Sequence, residues 1–128
     1  MKPFPARNVH GETLEICGTE PVTGFYRDGC CNTGNDDHGI HTVCAEVTRE
    51  FLEFSRQRGN DLSTPNPALG FRGLQPGDCW CLCAGRWLEA HKAGCAPGIH
   101  LGATHEETLA VIPYEVLAQY ALDKPATH

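Results

Sequence analysis

Apolar and polar positions alternate along HTVCAEV, residues 41–47, with Val43, Ala45 and Val47 on one side. A period of two predicts a strand. The next segment, TREFLEFSRQRG, has the marks of a helix: Thr48 suits the N-cap, Glu50 the first turn, Arg56 and Arg58 the last turn, and Gly59 the residue past the end. Phe51, Leu52 and Phe54 supply its apolar side. The turn Pro76-Gly77-Asp78 then leads into CWCLCA, a strand with Trp80, Leu82 and Ala84 on one side and Cys79, Cys81 and Cys83 on the other. Residues 86–94, RWLEAHKAG, read as a short helix stopped by glycine. Residues 12–17 (ETLEIC) and 98–103 (GIHLGA) read as further short strands. Thr104 and Glu107 form a capping-box pattern opening HEETLAVI, and Pro113 suits the first turn of a last helix, PYEVLAQYAL. With so few strands, the expected fold is a small α+β two-layer sandwich, a short sheet backed by three or four helices.

One segment resists this pattern. Residues 59–78, GNDLSTPNPALGFRGLQPGD, are rich in proline and glycine and predict a long ordered loop. Its Asn60, Asp61, Ser63 and Thr64 are candidate binding groups, polar side chains held on a rigid frame. The plainer reading is that they hydrogen-bond their own backbone. The whole chain, 1–128, is expected to be one domain, with residues 1–10 and 122–128 as loose ends.

Charge narrows the partners. Ten Lys and Arg stand against sixteen Asp and Glu, a net charge of −6. That argues against a nucleic-acid surface or docking on anionic lipid, and leaves a small molecule or a protein as the expected partner. No apolar run has the length of a membrane span, and the N-terminal residues have no continuous apolar stretch, so the expected compartment is the cytoplasm. Thiols there are kept reduced, which makes the eight cysteines candidate ligands, nucleophiles or core residues rather than disulfides.

The thiols cluster in sequence. DGCCNTG sets Cys30 and Cys31 in a glycine-bounded loop, followed by His41 and Cys44, and later by Cys81 and Cys83. As metal ligands these six residues suit a soft ion such as zinc, with Zn–S near 2.3 Å and Zn–N about 2.0–2.1 Å. Two spacings count against a single site. Cys81 and Cys83 lie roughly 6.5–7 Å apart along a strand. His41 and Cys44, three apart on a strand, are expected to point to opposite sides. As nucleophiles, Cys30 and Cys31 are the catalytic candidates, since a loop with consecutive backbone N–H groups stabilises a thiolate, and Arg27 adds positive charge. Asp28, Asp36 and Asp37 oppose that, and the Asp36-Asp37 pair reads as a turn device. If the loop lies beside the strand, Cys30 or Cys31 is in reach of Cys81 or Cys83. As core, all of these thiols pack as small hydrophobes. HEETL lacks the second histidine of a metalloprotease helix, Ser63 has no nucleophile elbow, and no phosphate loop or dinucleotide fingerprint is present.

TGFYRDGCCNTG, HTVCAEVT, GNDLSTP, PGDCWCLCAGRW and ATHEETL together resemble a bacterial and plant family of unknown function, DUF2237. The likeness runs from about Asn8 to Tyr120. It implies a compact α+β domain and carries no established activity. The family's motif cysteines match Cys17, Cys30, Cys31, Cys44, Cys81 and Cys83, with His41 beside them; Cys79 and Cys95 depart from the pattern. Three functional classes follow: a cysteine-centred site binding a soft metal, a thiol redox protein or cysteine-nucleophile enzyme, and a non-catalytic interaction module with structural thiols.

Overall fold

The two strands marked by alternation pair with each other. In a computed structural model, which describes residues 6–19 and 22–123, β1 (His41–Glu46) and β2 (Cys79–Cys83) run antiparallel. A two-residue strand, β3 (Gly98–Ile99), adds to the free edge of β1, giving the order β2-β1-β3. Three α-helices accompany the sheet: α1 (Arg49–Gln57), α2 (Ala84–Lys92) and α3 (Tyr114–Ala118). The domain is α+β. Thr48 caps α1 as its sequence predicts, its hydroxyl accepting the Phe51 N–H at 3.1 Å, and Gly59 turns the chain away at φ 88°.

The sheet sorts its residues cleanly. Val43, Ala45, Trp80 and Leu82 face the main core, where Phe51 of α1, Trp87 of α2 and Leu117 of α3 cover them. Trp87 is fully enclosed, its indole N–H donates to the Pro97 carbonyl at 3.1 Å, and Tyr120 meets its ring edge-on. The opposite face carries Cys44 and Cys81. Residues 17–37, which contain no regular element among those described, contribute Cys17, Cys31 and Thr23 to its cover. Two fully buried threonines serve this face. The Thr23 hydroxyl accepts the Cys81 N–H at 2.8 Å, and the Thr104 hydroxyl accepts the Cys44 N–H at 3.1 Å.

Several local expectations give way to these tertiary demands. Residues 12–17 form no strand; Thr13 makes one isolated bridge to Arg7. The expected strand at 98–103 stops at Ile99 and tightens into a 3₁₀ turn, Leu101–Ala103. Thr104 is no helix cap, because its hydroxyl is committed to the Cys44 N–H and the His100 carbonyl. The cap is instead His105, whose Nδ1 accepts the Glu107 N–H and opens a 3₁₀ turn, Glu106–Ala110, not an α-helix. Pro113 sits at the N-cap of α3 rather than inside its first turn. Of the expected loose ends, residues 1–5 and 124–128 lie outside the described residues. Asn8 is buried and pinned, its side-chain amide donating to the Gly102 carbonyl at 3.0 Å.

Trp87→Ala removes the largest enclosed side chain and a buried hydrogen bond. It is expected to cost about 3–5 kcal/mol, read as a lowered urea midpoint; a loss below about 1 kcal/mol would contradict this packing.

Candidate functional site

β2 presents Cys79, Cys81 and Cys83 along one face, and each meets a different environment. In the middle, Cys81 is bonded to Cys31, and its directly opposed neighbour on β1, Cys44, is bonded to Cys17. The expectation of reduced thiols is therefore corrected for these four residues. Cys31, Cys44 and Cys81 offer no thiolate to a metal or a substrate while bridged, and Cys31 is withdrawn as a nucleophile. The contact between the DGCCNTG loop and β2 is real, and this disulfide is the contact. Cys30, next in sequence, is half-buried and outside both bridges.

At the end of β2 next to α2 the arrangement changes. Cys83 stands opposite His41. A bulge between His41 and Val43 shifts the register there, so one residue of β2 faces two of β1. This overturns the expected opposition of His41 and Cys44: the extra residue, Thr42, carries His41 round to the cysteine face. Ile40 sets up the shift from a left-handed backbone, φ 51°, rare for a β-branched residue and costing on the order of 1–3 kcal/mol. Its carbonyl accepts the N–H of Ala84, the first residue of α2, at 3.0 Å. The start of β1 and the start of α2 are thereby tied together, bringing His41 and Cys83 side by side.

Asp37 completes the group. Its carboxylate is fully enclosed, with Oδ1 2.6 Å from His41 Nδ1. Oδ2 accepts the His41 N–H at 2.9 Å and the Thr33 hydroxyl at 3.0 Å. An ionised carboxylate only accepts, so Nδ1 carries a proton and Nε2 is left for Cys83. Burial pulls the Asp37 pKa up, but the bonds from His41 and Thr33 outweigh it and hold the carboxyl below its ordinary range. His41 is raised to about 9, first by its hydrogen bond to Cys83, against the opposing effect of burial, and further by Asp37. The imidazolium thus stabilises the folded chain; that contribution is complete below about pH 6.5 and fades as the pH climbs through about 9. Phe25 stacks on the imidazole at 5.7 Å. Gly39 closes over the pair: a Cβ there would lie 2.8 Å from His41 Cε1 and 3.1 Å from Cys83 Sγ, so any larger residue displaces them.

Cys83 borders a surface cavity of about 580 Å³ whose walls include Gly85, Arg86, Leu88 and Lys92. It is also the N-cap of α2, so it sits at the positive end of that helix. A larger cavity, about 670 Å³, lies between the long loop and β2, bordered by Arg27, Asp61, Thr64, Phe71 and Trp80. It has no cysteine or histidine in its wall. Asp61 is occupied by its own turn, accepting the Thr64 hydroxyl at 2.6 Å and the Ser63 N–H at 3.0 Å. Those bonds, Thr64 first, lower its pKa to about 2. The smaller cavity is the one bordered by an unbridged thiol, Cys83. The sequence reading had His41 and Cys83 as metal candidates but took Asp37 for a turn residue. The only sequence sign of the trio is the D-x-x-x-H spacing, which carries meaning once Ile40 is left-handed.

The model of the family described as "Uncharacterized protein conserved in bacteria (DUF2237)" matches residues 7–121. The chain belongs to this family. No curated protein matches it. The matched range contains Asp37, His41, Cys83 and all four bridged cysteines.

Alkylation in denaturant tests the sulfur assignments. Four cysteines (Cys30, Cys79, Cys83 and Cys95) are expected to be labelled without reductant and all eight after reduction. Eight labels without reductant would remove both bridges.

Proposed function

We propose that the protein is a cysteine-nucleophile enzyme that transfers or hydrolyses an acyl group, with Cys83 as nucleophile, His41 as general acid and base, and Asp37 as the residue that positions His41. The observation that carries this reading is the buried Asp37 carboxylate 2.6 Å from His41 Nδ1, with Cys83 directly opposite His41 across the two strands and its thiol the first cause of the raised imidazole pKa. In the forward step Sγ of Cys83, its proton already held by the raised-pKa His41, attacks the acyl carbon of a thioester, ester or amide. The C–S bond forms, and the bond to the leaving group breaks as His41 returns the proton to it. Water then gives a proton to His41 and attacks the thioester carbon, and the C–S bond breaks to restore the thiol. With the Ala84 N–H held by the Ile40 carbonyl, the N–H groups that follow it in the first turn of α2 suit the oxyanion of each tetrahedral intermediate. The expected substrate is a small acyl compound, in keeping with a cavity of about 580 Å³. Relative to the sequence candidates, the nucleophile moves from Cys30 or Cys31 to Cys83, because Cys83 is an unbridged thiol opposite a histidine that a buried carboxylate orients. The cytoplasm remains the proposed compartment, with burial sheltering Cys31 and Cys44 from soluble reductants.

Alkylation kinetics read the relay without a known substrate. In the native protein, iodoacetamide is expected to modify Cys83 at least about tenfold faster than Cys79 or Cys95, whose thiols burial pushes up. His41→Asn and Asp37→Asn are each expected to abolish that advantage while leaving the rates at Cys79 and Cys95 unchanged. Equal rates at all three cysteines in the unmutated protein would refute the nucleophile.

A further inference from the structure

The far end of β2 carries a second, unrelated constellation. Glu46 and Cys79 are directly opposed across β1 and β2, and Glu46 is also paired with Gly98 of β3, two residues before His100. His100 Nε2 lies 3.3 Å from Glu46 Oε1, and one ligand atom from each of Glu46, Cys79 and His100 lies within 4.8 Å of the other two. We infer that these three side chains bind one zinc-class transition-metal ion, with a fourth position left to water or an external ligand.

The donor set chooses the ion. A thiolate, an imidazole and a carboxylate suit zinc or cobalt, and the sulfur and nitrogen disfavour magnesium and calcium. At zinc bond lengths the ligand atoms of a tetrahedral site stand roughly 3.3–3.8 Å apart. The His100 Nε2–Glu46 Oε1 separation of 3.3 Å already meets that range, and Cys79 offers its sulfur within 4.8 Å of both. The backbone is already held. The His100 N–H donates to the Cys44 carbonyl at 2.9 Å, and the His100 carbonyl accepts the Thr104 hydroxyl at 2.9 Å and the Ala103 N–H at 3.1 Å. Glu46 and Cys79 are fixed by strand register. Charge points the same way, since Glu46 and Asp78 both place negative potential on Cys79, which a dication offsets. With the His100 and Glu46 side chains 32% and 45% exposed, the site is open to solvent on one side.

This site is independent of Cys83, which lies four residues away, about 13 Å along the strand.

The test is a cobalt titration of the oxidised protein, with both disulfides intact. One Co²⁺ per chain is expected, with thiolate-to-cobalt charge-transfer absorption that one equivalent of Zn²⁺ removes. Cys79→Ser is expected to abolish that absorption. His100→Gln and Glu46→Gln are each expected to weaken Co²⁺ binding by more than the roughly 10–100-fold that outer-shell changes cost. Cys83→Ser is expected to leave both readouts unchanged. Absorption that survives Cys79→Ser, absorption lost in Cys83→Ser, or no cobalt bound by the unmutated chain would each overturn the assignment.

Discussion

The pairing of β1 with β2 is the constraint from which the rest follows. It sets Val43, Ala45, Trp80 and Leu82 on the side the helices cover, and the cysteines on the other. Because successive same-face residues on a strand are roughly 6.5–7 Å apart, Cys79, Cys81 and Cys83 cannot share one centre. They divide the cysteine face into three stations. Cys83 meets a histidine and a carboxylate, Cys81 is bonded to the covering loop, and Cys79 meets Glu46 and His100. A sequence that looks like one thiol cluster is thus three separate surroundings, kept apart by strand geometry.

The middle station holds the other two in shape. The described residues of the 17–37 segment have no helix or strand to order them, and cross-links to β1 and β2 take that role. Closing loops of 27 and 50 residues is worth about 3–4 kcal/mol each by chain entropy. The clamp reaches the candidate site directly, because Phe25, Thr33 and Asp37 all belong to the segment held by Cys31 or follow it closely. The buried threonines extend the same logic, as Thr23 and Thr104 satisfy N–H groups of the sheet from outside it.

Much of the frame is legible in the sequence. Period-two alternation marked β1 and β2, and Thr48 and Gly59 marked the ends of α1, because these signals are local and nothing tertiary competes with them. Where competition exists, the reading failed. Thr104 looked like a cap, yet a sheet N–H claimed its hydroxyl. His41 and Cys44 looked opposed, yet a bulge behind a left-handed Ile40 turned them to one face, and no propensity would put isoleucine in that conformation. Asp37 does sit in a turn, as read, its N–H donating to the Gly34 carbonyl at 3.0 Å. What the turn reading omits is that its carboxylate points inward at His41. The disulfide partners were open as well, since spacing alone does not say which cysteines the fold brings together.

The account rests on the bond between His41 and Cys83, and NMR titration of the His41 imidazole measures it most directly. In the unmutated protein the ring is expected to titrate near pH 9, and in Cys83→Ser, with its main partner gone, to fall back toward the ordinary value of 6.5. A His41 that titrates near 6.5 in both proteins would mean that the thiol and the imidazole do not share a proton, and the relay would be lost with it.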